Sequence, residues 1–364
     1  MTKRLLALVM VLTLLPLPLF GGCTSTTDEV FELTYSNFFP STHLHSKLAE
    51  EWIAEIESRT DGRVQIEYFA AGNLTPAAQV YDGVVEGISD IGMSCLAYTP
   101  GRFPACELVD MPHGYSQGWV ATKVANDFYN EFTPEELDDV KVLYFHAHGP
   151  GSIITTSVAV DEMEDLNGLV IRATGVGAQI IEALGGEGYG AAQSETYELL
   201  SKSTVDGSFT PLETLKGWNH AEVVKYVTNC YQVGNTTDMY VVINQDVWDS
   251  MPSDIQQIIT EVSEEWIEKH GQVWDYYDKV AIDYFESLGG DREIIELSDD
   301  EMARWADAVS TVVDSYITEL ESEGLPGNEY EQYLLERVEY WASRAPSYDE
   351  CVSWVTDSGL LDTE

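Results

Sequence analysis

Arg172 is the residue whose type and setting most clearly suggest chemistry. It is one of only 18 Lys and Arg residues, against 63 Asp and Glu. It follows the apolar run Leu169-Val170-Ile171 and precedes Thr174-Gly175-Val176-Gly177. A planar guanidinium can grip a carboxylate with two parallel charge-assisted hydrogen bonds. The glycines that follow let backbone, and the N-terminus of the next helix, come close to an anion. Residue types alone support equally a structural salt bridge to one of the many acids.

Other reactive constellations are weak. His43 and His45 share one face of an extended chain, as do His146 and His148. Two such pairs have the composition of a metal site. Histidines near strand ends are more often hydrogen-bonded or solvated, so no metal ligand is assigned. The chain has no phosphate loop and no His-Glu-x-x-His, and its one Gly-x-Ser-x-Gly, Gly114–Gly118, is far from Arg172 in sequence. Paired carboxylates carry no signal in so acidic a sequence. No catalytic residue and no cofactor is assigned, and the expectation is a protein that is not an enzyme. Cys95, Cys106, Cys230 and Cys351 lack metal-ligand spacing. A Cys95–Cys106 disulfide across the turn 99–104 and four free thiols both remain open.

The net charge of −45 repels phosphate backbones and anionic lipid. Nucleic acid is therefore excluded as a partner. The acids are spread along the chain, which fits either a surface adapted to high salt or simple solubility. With 364 residues, 44% of them hydrophobic, the chain can fill two cores.

The first residues read as an export leader rather than as fold. Lys3 and Arg4 precede the apolar run Leu5–Phe20, short for a membrane span. Leu19-Phe20-Gly21-Gly22-Cys23 resembles a lipoprotein signal box. That resemblance implies cleavage after residue 22, lipidation of Cys23 and a tether over 23–29. The alternative is an ordinary secretory leader with an incidental Cys. Either places the mature chain outside the cytoplasm, in a periplasm or at a cell surface. The first ties it to a membrane through its lipid anchor.

The elements that must position Arg172 follow from periodicity. Strands are expected at 31–35, 64–69, 90–94, 140–146, 153–157, 169–172 and 239–243. Helices are expected at 47–56, at 117–130, from Thr133-Pro134-Glu135-Glu136, at 176–184 and at 196–200. This alternation argues for an α/β fold with largely parallel strands. After Pro252, apolar residues recur in steps of three and four from Ile255 to Phe285, predicting one helix of roughly 35 residues. Such a helix is about 50 Å long, enough to brace two domains. Further helices are expected at 301–321 and 330–341, and no internal repeat is present.

Several segments then resemble one family in register. Asp165-Leu166-Asn167-Gly168-Leu169-Val170-Ile171-Arg172 is similar to the signature of solute-binding proteins of TRAP transporters, the DctP type. Glu195-Thr196-Tyr197-Glu198-Leu199-Leu200 with Val205-Asp206-Gly207 resembles a second motif of that family. Glu222–Thr228, Val247–Pro252, Thr60–Val64 and Ser89-Asp90-Ile91 resemble others, in the family's order over about 30–290. His148-Gly149-Pro150-Gly151-Ser152 resembles one branch.

The resemblance implies a two-domain, periplasmic-binding-protein-like α/β fold with a long helix spanning both domains. Domain I is placed at 30–150 plus 239–275, and domain II at 151–238 plus 276–364. It also implies a cleft for small carboxylates, with Arg172 where the family's clamping Arg stands. Thr210, Gln193 and Phe38 fall where the cleft is lined, and Trp218 is either a stacking wall or core. Ser94, Gly175 and Asp238 complete the candidate ligand-binding set. A second Arg found in many members is absent here, which with Phe38 favours a monocarboxylate or keto acid over a dicarboxylate. The implied partners are the solute and the TRAP membrane subunits that drive uptake with an ion gradient. A sensor lipoprotein feeding a signalling receptor is the alternative. An exported hydrolase or lyase would need a nucleophile and base beside Arg172, and no motif supplies them.

Overall fold

The computed structural model describes residues 30–360. The leader, Cys23 and the tether lie outside them. In chain order the strands are β1 (Phe31–Asn37), β2 (Val64–Phe69), β3 (Ile91–Cys95), β4 (Val140–Ala147), β5 (Ser152–Thr155), β6 (Val170–Ala173), β7 (Glu187–Gly190), β8 (Gly207–Thr210), β9 (Tyr226–Asn229), β10 (Asp238–Asn244) and β11 (Glu293–Glu296). They form two sheets, ordered β2-β1-β3-β10-β4 and β11-β9-β5-β8-β6-β7.

Pairing is mixed rather than largely parallel. β1 runs parallel to β2 and β3, and β6 parallel to β7 and β8. β10 is antiparallel to both β3 and β4, with Met239 opposite Cys95 and His146. β5 is antiparallel to β8 and β9. The reversed strands flank the places where the chain passes from one sheet to the other. β5 enters the second sheet directly after β4, and β10 returns directly from β9. The two crossing segments touch backbone to backbone, with Gly151 N donating to Asn235 O at 2.9 Å. A Cβ at Gly234 would lie 2.5 Å from Gly151 O, so only glycine fits that crossing.

The long helix is present as Ser253–Ser287. Ile255, Ile259, Val262, Trp266, Val273 and Trp274 pack into the core of the first sheet. Two turns on, Ala281 and Phe285 join Leu200, Leu215 and Val227 beside the second. One helix thus has its two ends in two cores. Its Asp275 also starts another helix, Gly118–Phe132: Oδ1 accepts from Gly118 N at 2.7 Å and Trp119 N at 3.3 Å. These are N–H groups that a helix start leaves without partners.

The C-terminal helices wrap back over both sheets. Helix Asp299–Glu323 places Trp305 and Val309 with Ile171 and Ile180. Its Ile317 and Leu320, with Leu334 of helix Gly327–Ala342, enter the core around Phe128. Helix Tyr348–Asp357 sets Val355 against the long helix. The helix expected from Thr133 is only a turn at Glu135–Leu137. Thr133 instead ends the preceding helix at φ 39°. Glu136 is occupied elsewhere, accepting from the backbones of Ala105 and Cys106. All four described cysteines are buried and free, so the Cys95–Cys106 bridge is not formed. No helix among the described residues is long and apolar enough to cross a membrane.

Asp275→Ala strips the start of helix Gly118–Phe132 of its acceptor. Leaving buried N–H groups unpaired costs about 1–3 kcal/mol. Urea unfolding should show a loss of that size, and Asp275→Asn, which keeps an acceptor oxygen, should lose less.

Candidate ligand-binding cleft

Arg172 ends β6 beside β7 and β8, in register with Tyr189 and Ser208. Its Nε donates to Ala191 O at 3.0 Å. Nη2 donates to Ala191 O at 2.7 Å and to Thr174 Oγ1 at 2.6 Å, and Nη1 donates to Gln193 Oε1 at 2.8 Å. All three partners are uncharged. The side chain is 1% exposed, and among the described residues no carboxylate pairs with it. Burial pushes the guanidinium pKa down, while the charge of Glu195, not in contact, opposes the shift. An arginine stays protonated regardless. A charge buried without a counter-ion costs several kcal/mol. Arg172 borders a cavity, and a counter-ion would have to come from there.

The grip is not bidentate as it stands. The fork is already engaged by Ala191 O, Thr174 Oγ1, Gln193 Oε1 and the Tyr98 side chain, so a carboxylate gains two N–H groups only by sharing the places of these uncharged partners.

Gln193 is held from three sides. Its Oε1 also accepts from Thr210 Oγ1 at 3.3 Å, its Nε2 meets His220 Nε2 at 3.2 Å, and its backbone N–H donates to Tyr98 Oη at 3.1 Å. An amide N–H2 donor requires His220 Nε2 to accept, so that ring carries its proton on Nδ1. Burial, with Arg172 adding, pushes the His220 pKa down to about 3.

Phe38, Gln193, Thr210 and Trp218 line the cavity with Arg172. Phe38 stacks on Trp218 with ring centroids 6.3 Å apart and meets Tyr98 edge-on at 5.5 Å. The indole Nε1 of Trp218 has no hydrogen-bond partner among the described residues. The other three candidates do not line the cavity. Ser94 Oγ donates to Ala77 O at 2.7 Å inside the first sheet. Gly175 borders a separate acidic groove with Glu107 and Glu319; its φ is +51°, and a Cβ would lie 2.7 Å from Ala97 Cβ. Asp238 is paired with Asp110, whose Oδ1 accepts from the Asp238 backbone at 2.6 Å, and burial pushes both carboxyls well up. On a strand, Ser94 and Asp238 face opposite to Cys95 and Met239, which do reach the cavity.

Sequence reasoning left out Tyr98, His148 and Glu213, all lining residues. Tyr98 follows β3 directly and was detectable as an aromatic at a strand end. Glu213 was one acid among many, with nothing local to mark it.

The histidines do not assemble as two pairs. His45, His146 and His270 cluster instead, with candidate ligand atoms within 4.8 Å of one another. His45 Nδ1 meets His270 Nδ1 at 2.8 Å in one plane, the rings being 4° apart. His146 lies in a parallel plane, stacked on His270 at 4.2 Å. Nitrogen lone pairs lie in their ring planes, so these three do not converge on one point as zinc ligands do. Trp274 Nε1 donates to His146 Nδ1 at 3.2 Å, and burial pushes the His146 pKa down to about 3.

A histidine whose folded pKa is depressed adds stability above its unfolded value of about 6.5, and loses it as pH falls toward the folded value. The stability difference between wild type and His146→Gln should therefore shrink below pH 6.5, by at most about 1.4 kcal/mol per pH unit. Urea unfolding at pH 7.5 to 4 measures it, and a difference constant with pH refutes the account.

The fold and cleft were compared with known proteins. Residues 35–319 match the family described as bacterial extracellular solute-binding protein, family 7, the DctP family. The chain belongs to this family. A monocarboxylate 2-oxoacid-binding periplasmic protein from Nostoc is 27% identical over 58% of this chain, and the alignment spans 59% of that relative's own length. A TRAP periplasmic solute-binding protein from Desulfovibrio salexigens, solved as an open complex with a symmetry mate's C-terminus in its ligand-binding site, has 29% identity and a TM-score of 0.76. It covers 87% of this chain and 98% of its own. A Bordetella bronchiseptica TRAP protein solved with bound mandelate has 26% identity and a TM-score of 0.79, over 85% and 99% of the two chains. The two-domain α/β architecture with its long bracing helix is thus that of TRAP solute-binding proteins. Members of this family are solute-binding proteins rather than enzymes, and are extracytoplasmic.

Proposed function

We propose that the protein is the extracytoplasmic receptor of a TRAP-type transporter, capturing a small organic acid for ion-gradient-driven uptake through membrane subunits. One observation carries this reading: Arg172 is buried and charged, without an acidic partner among the described residues, on the wall of a cavity. The solute's carboxylate completes the ion pair that the protein withholds. Around it, Phe38, Tyr98 and Trp218 offer an apolar body-sized space. This favours a monocarboxylate or keto acid over a dicarboxylate, in keeping with the 2-oxoacid relative and the mandelate-bound neighbour. The unpartnered Trp218 N–H supplies a further donor, suited to a carboxylate or keto oxygen.

In this reading the domains divide near 150 and 238 and along the long helix near 275, and the cleft shuts about the paired crossings at Gly151 and Gly234. The helices after Glu323 lie against the first domain. Anchoring through lipid at Cys23 belongs to the same reading.

A ligand present at 100 times its Kd adds about 2.7 kcal/mol to stability. Thermal-shift screening with small carboxylates should raise the Tm of wild type, with no shift for Arg172→Ala. Equal shifts in both proteins refute the reading.

Trp218→Phe keeps the ring but removes the donor. One lost hydrogen bond to a charged oxygen is worth about 1.5 kcal/mol, roughly tenfold in Kd. Calorimetric titration with the best ligand of that screen measures it, and an unchanged Kd removes Trp218 Nε1 from the set of ligand donors.

A further inference from the structure

The cavity holds a second charge that the protein leaves uncompensated. Glu213 lines it and is 1% exposed. Its Oε2 accepts from His43 Nε2 at 3.0 Å. His43 Nδ1 accepts from the His45 backbone N–H at 3.3 Å, so the ring's proton sits on Nε2 and the imidazole is a neutral donor. His43 therefore positions Glu213 without cancelling its charge. Among the described residues Glu213 has no Lys or Arg partner, and it forms no ion pair with Arg172, although both line one cavity. Its backbone N–H donates to Asp278 Oδ1 at 2.8 Å, which brings another buried acid near rather than a cation.

The pair is built in, not incidental. A Cβ at Gly217 would lie 2.4 Å from Glu213 Oε2 and 2.7 Å from His43 Nε2, so the close approach depends on glycine there. A carboxylate has about four lone-pair sites, and His43 occupies one. His148, whose Nδ1–H donates to Gly149 O at 2.6 Å, adds a neutral Nε2 acceptor to the same lining. The cavity thus presents a cationic donor in Arg172 and an anionic acceptor in Glu213. A ligand complementary to both has an anionic group and, at a distance from it, a donor.

We propose that the solute is an organic acid with a hydroxyl or ammonium group remote from its carboxylate, that Glu213 receives this donor, and that Glu213 excludes dicarboxylates. The proposal rests on carboxylate capture by Arg172. A second carboxylate would face Glu213 with like charge and no donor, which is specificity by repulsion.

Calorimetric titration of the mature protein tests it with benzoate, 3-hydroxybenzoate, 3-(aminomethyl)benzoate and isophthalate. The matched aliphatic series is pentanoate, 5-hydroxypentanoate, 5-aminopentanoate and glutarate. In the series that binds, at least one donor-bearing acid should bind tenfold or more tightly than its parent, and the dicarboxylate tenfold or more weakly. Glu213→Gln, nearly isosteric and checked for a cooperative unliganded melt, should reduce both ratios to below about threefold. A dicarboxylate binding wild type as well as its parent does, or a ranking unchanged in Glu213→Gln, overturns the proposal. If Arg172→Ala abolishes binding in that case, carboxylate capture survives without it. If neither series binds wild type, or Arg172→Ala binds all as well as wild type does, carboxylate capture falls and this proposal with it.

Discussion

A guanidinium buried away from water and denied an acidic partner is the constraint around which the molecule is arranged. The chain has 63 acids for 18 basic residues, so an unpaired arginine is the hardest state to maintain. Arg59, Arg63, Arg102, Arg304 and Arg337 are each paired with a surface carboxylate. Arg172 is kept apart by spending its donors on a carbonyl, an amide and a hydroxyl. Uncharged acceptors orient the fork without neutralising it. Desolvation is then only partly repaid, and the deficit is what a bound anion relieves. On the function proposed above, the withheld ion pair is both the instability of the empty site and the source of its affinity.

That arrangement needs two lobes. Arg172, Gln193, Thr210 and Glu213 come from the second sheet and the segments beside it, while Phe38 and Tyr98 follow strands of the first. His43, at the start of the helix after Phe38, reaches across to Glu213. The connections that join the lobes are few: the crossings after β4 and before β10, the long helix, and helix Asp299–Glu323, which also enters both cores. The crossings are packed at glycine, and the long helix is anchored in both cores by Trp274 on one side and Phe285 on the other. On the proposed function, closing the cleft would tighten pairing with a bound anion because water, with its high dielectric constant, leaves. A solute drives closure only by what it gains in the shut form over the open one.

Much of this was legible from local pattern. The long helix was, because its apolar steps resume after the stretch Glu268–Gln272 and no proline interrupts Ile255 to Phe285. Arg172 was, because a cation at the end of an apolar strand before glycines is rare in so acidic a chain. The short edge strands β7 and β11 were not. Glu187–Gly190 and Glu293–Glu296 are largely exposed, and their pairing rather than their composition makes them strands. Sheet direction was not legible either, since β5 and β10 reverse for a tertiary reason, the passage between lobes. Within the site, Ser94 and Asp238 missed by one residue. On a strand a shift of one turns the side chain to the opposite face, so Cys95 and Met239 border the cavity while their neighbours are core. Glu213 was invisible because its meaning comes from His43, 170 positions away in sequence.

The charge on the outside and the charge in the cleft act over different ranges. A net charge of −45 opposes the approach of an anion at distance, but in salt that field fades over roughly 10 Å. Inside the cleft, no carboxylate among the described residues pairs with Arg172, and burial leaves its field less screened than on the surface. The local field therefore decides binding, while the global one affects only how often the solute arrives. A strongly acidic exterior is tolerable for an anion receptor on one condition: the receptor's own acids must be kept off its guanidinium. Ala191, Gln193 and Thr174 meet that condition by occupying the positions around the fork that an acid would otherwise take.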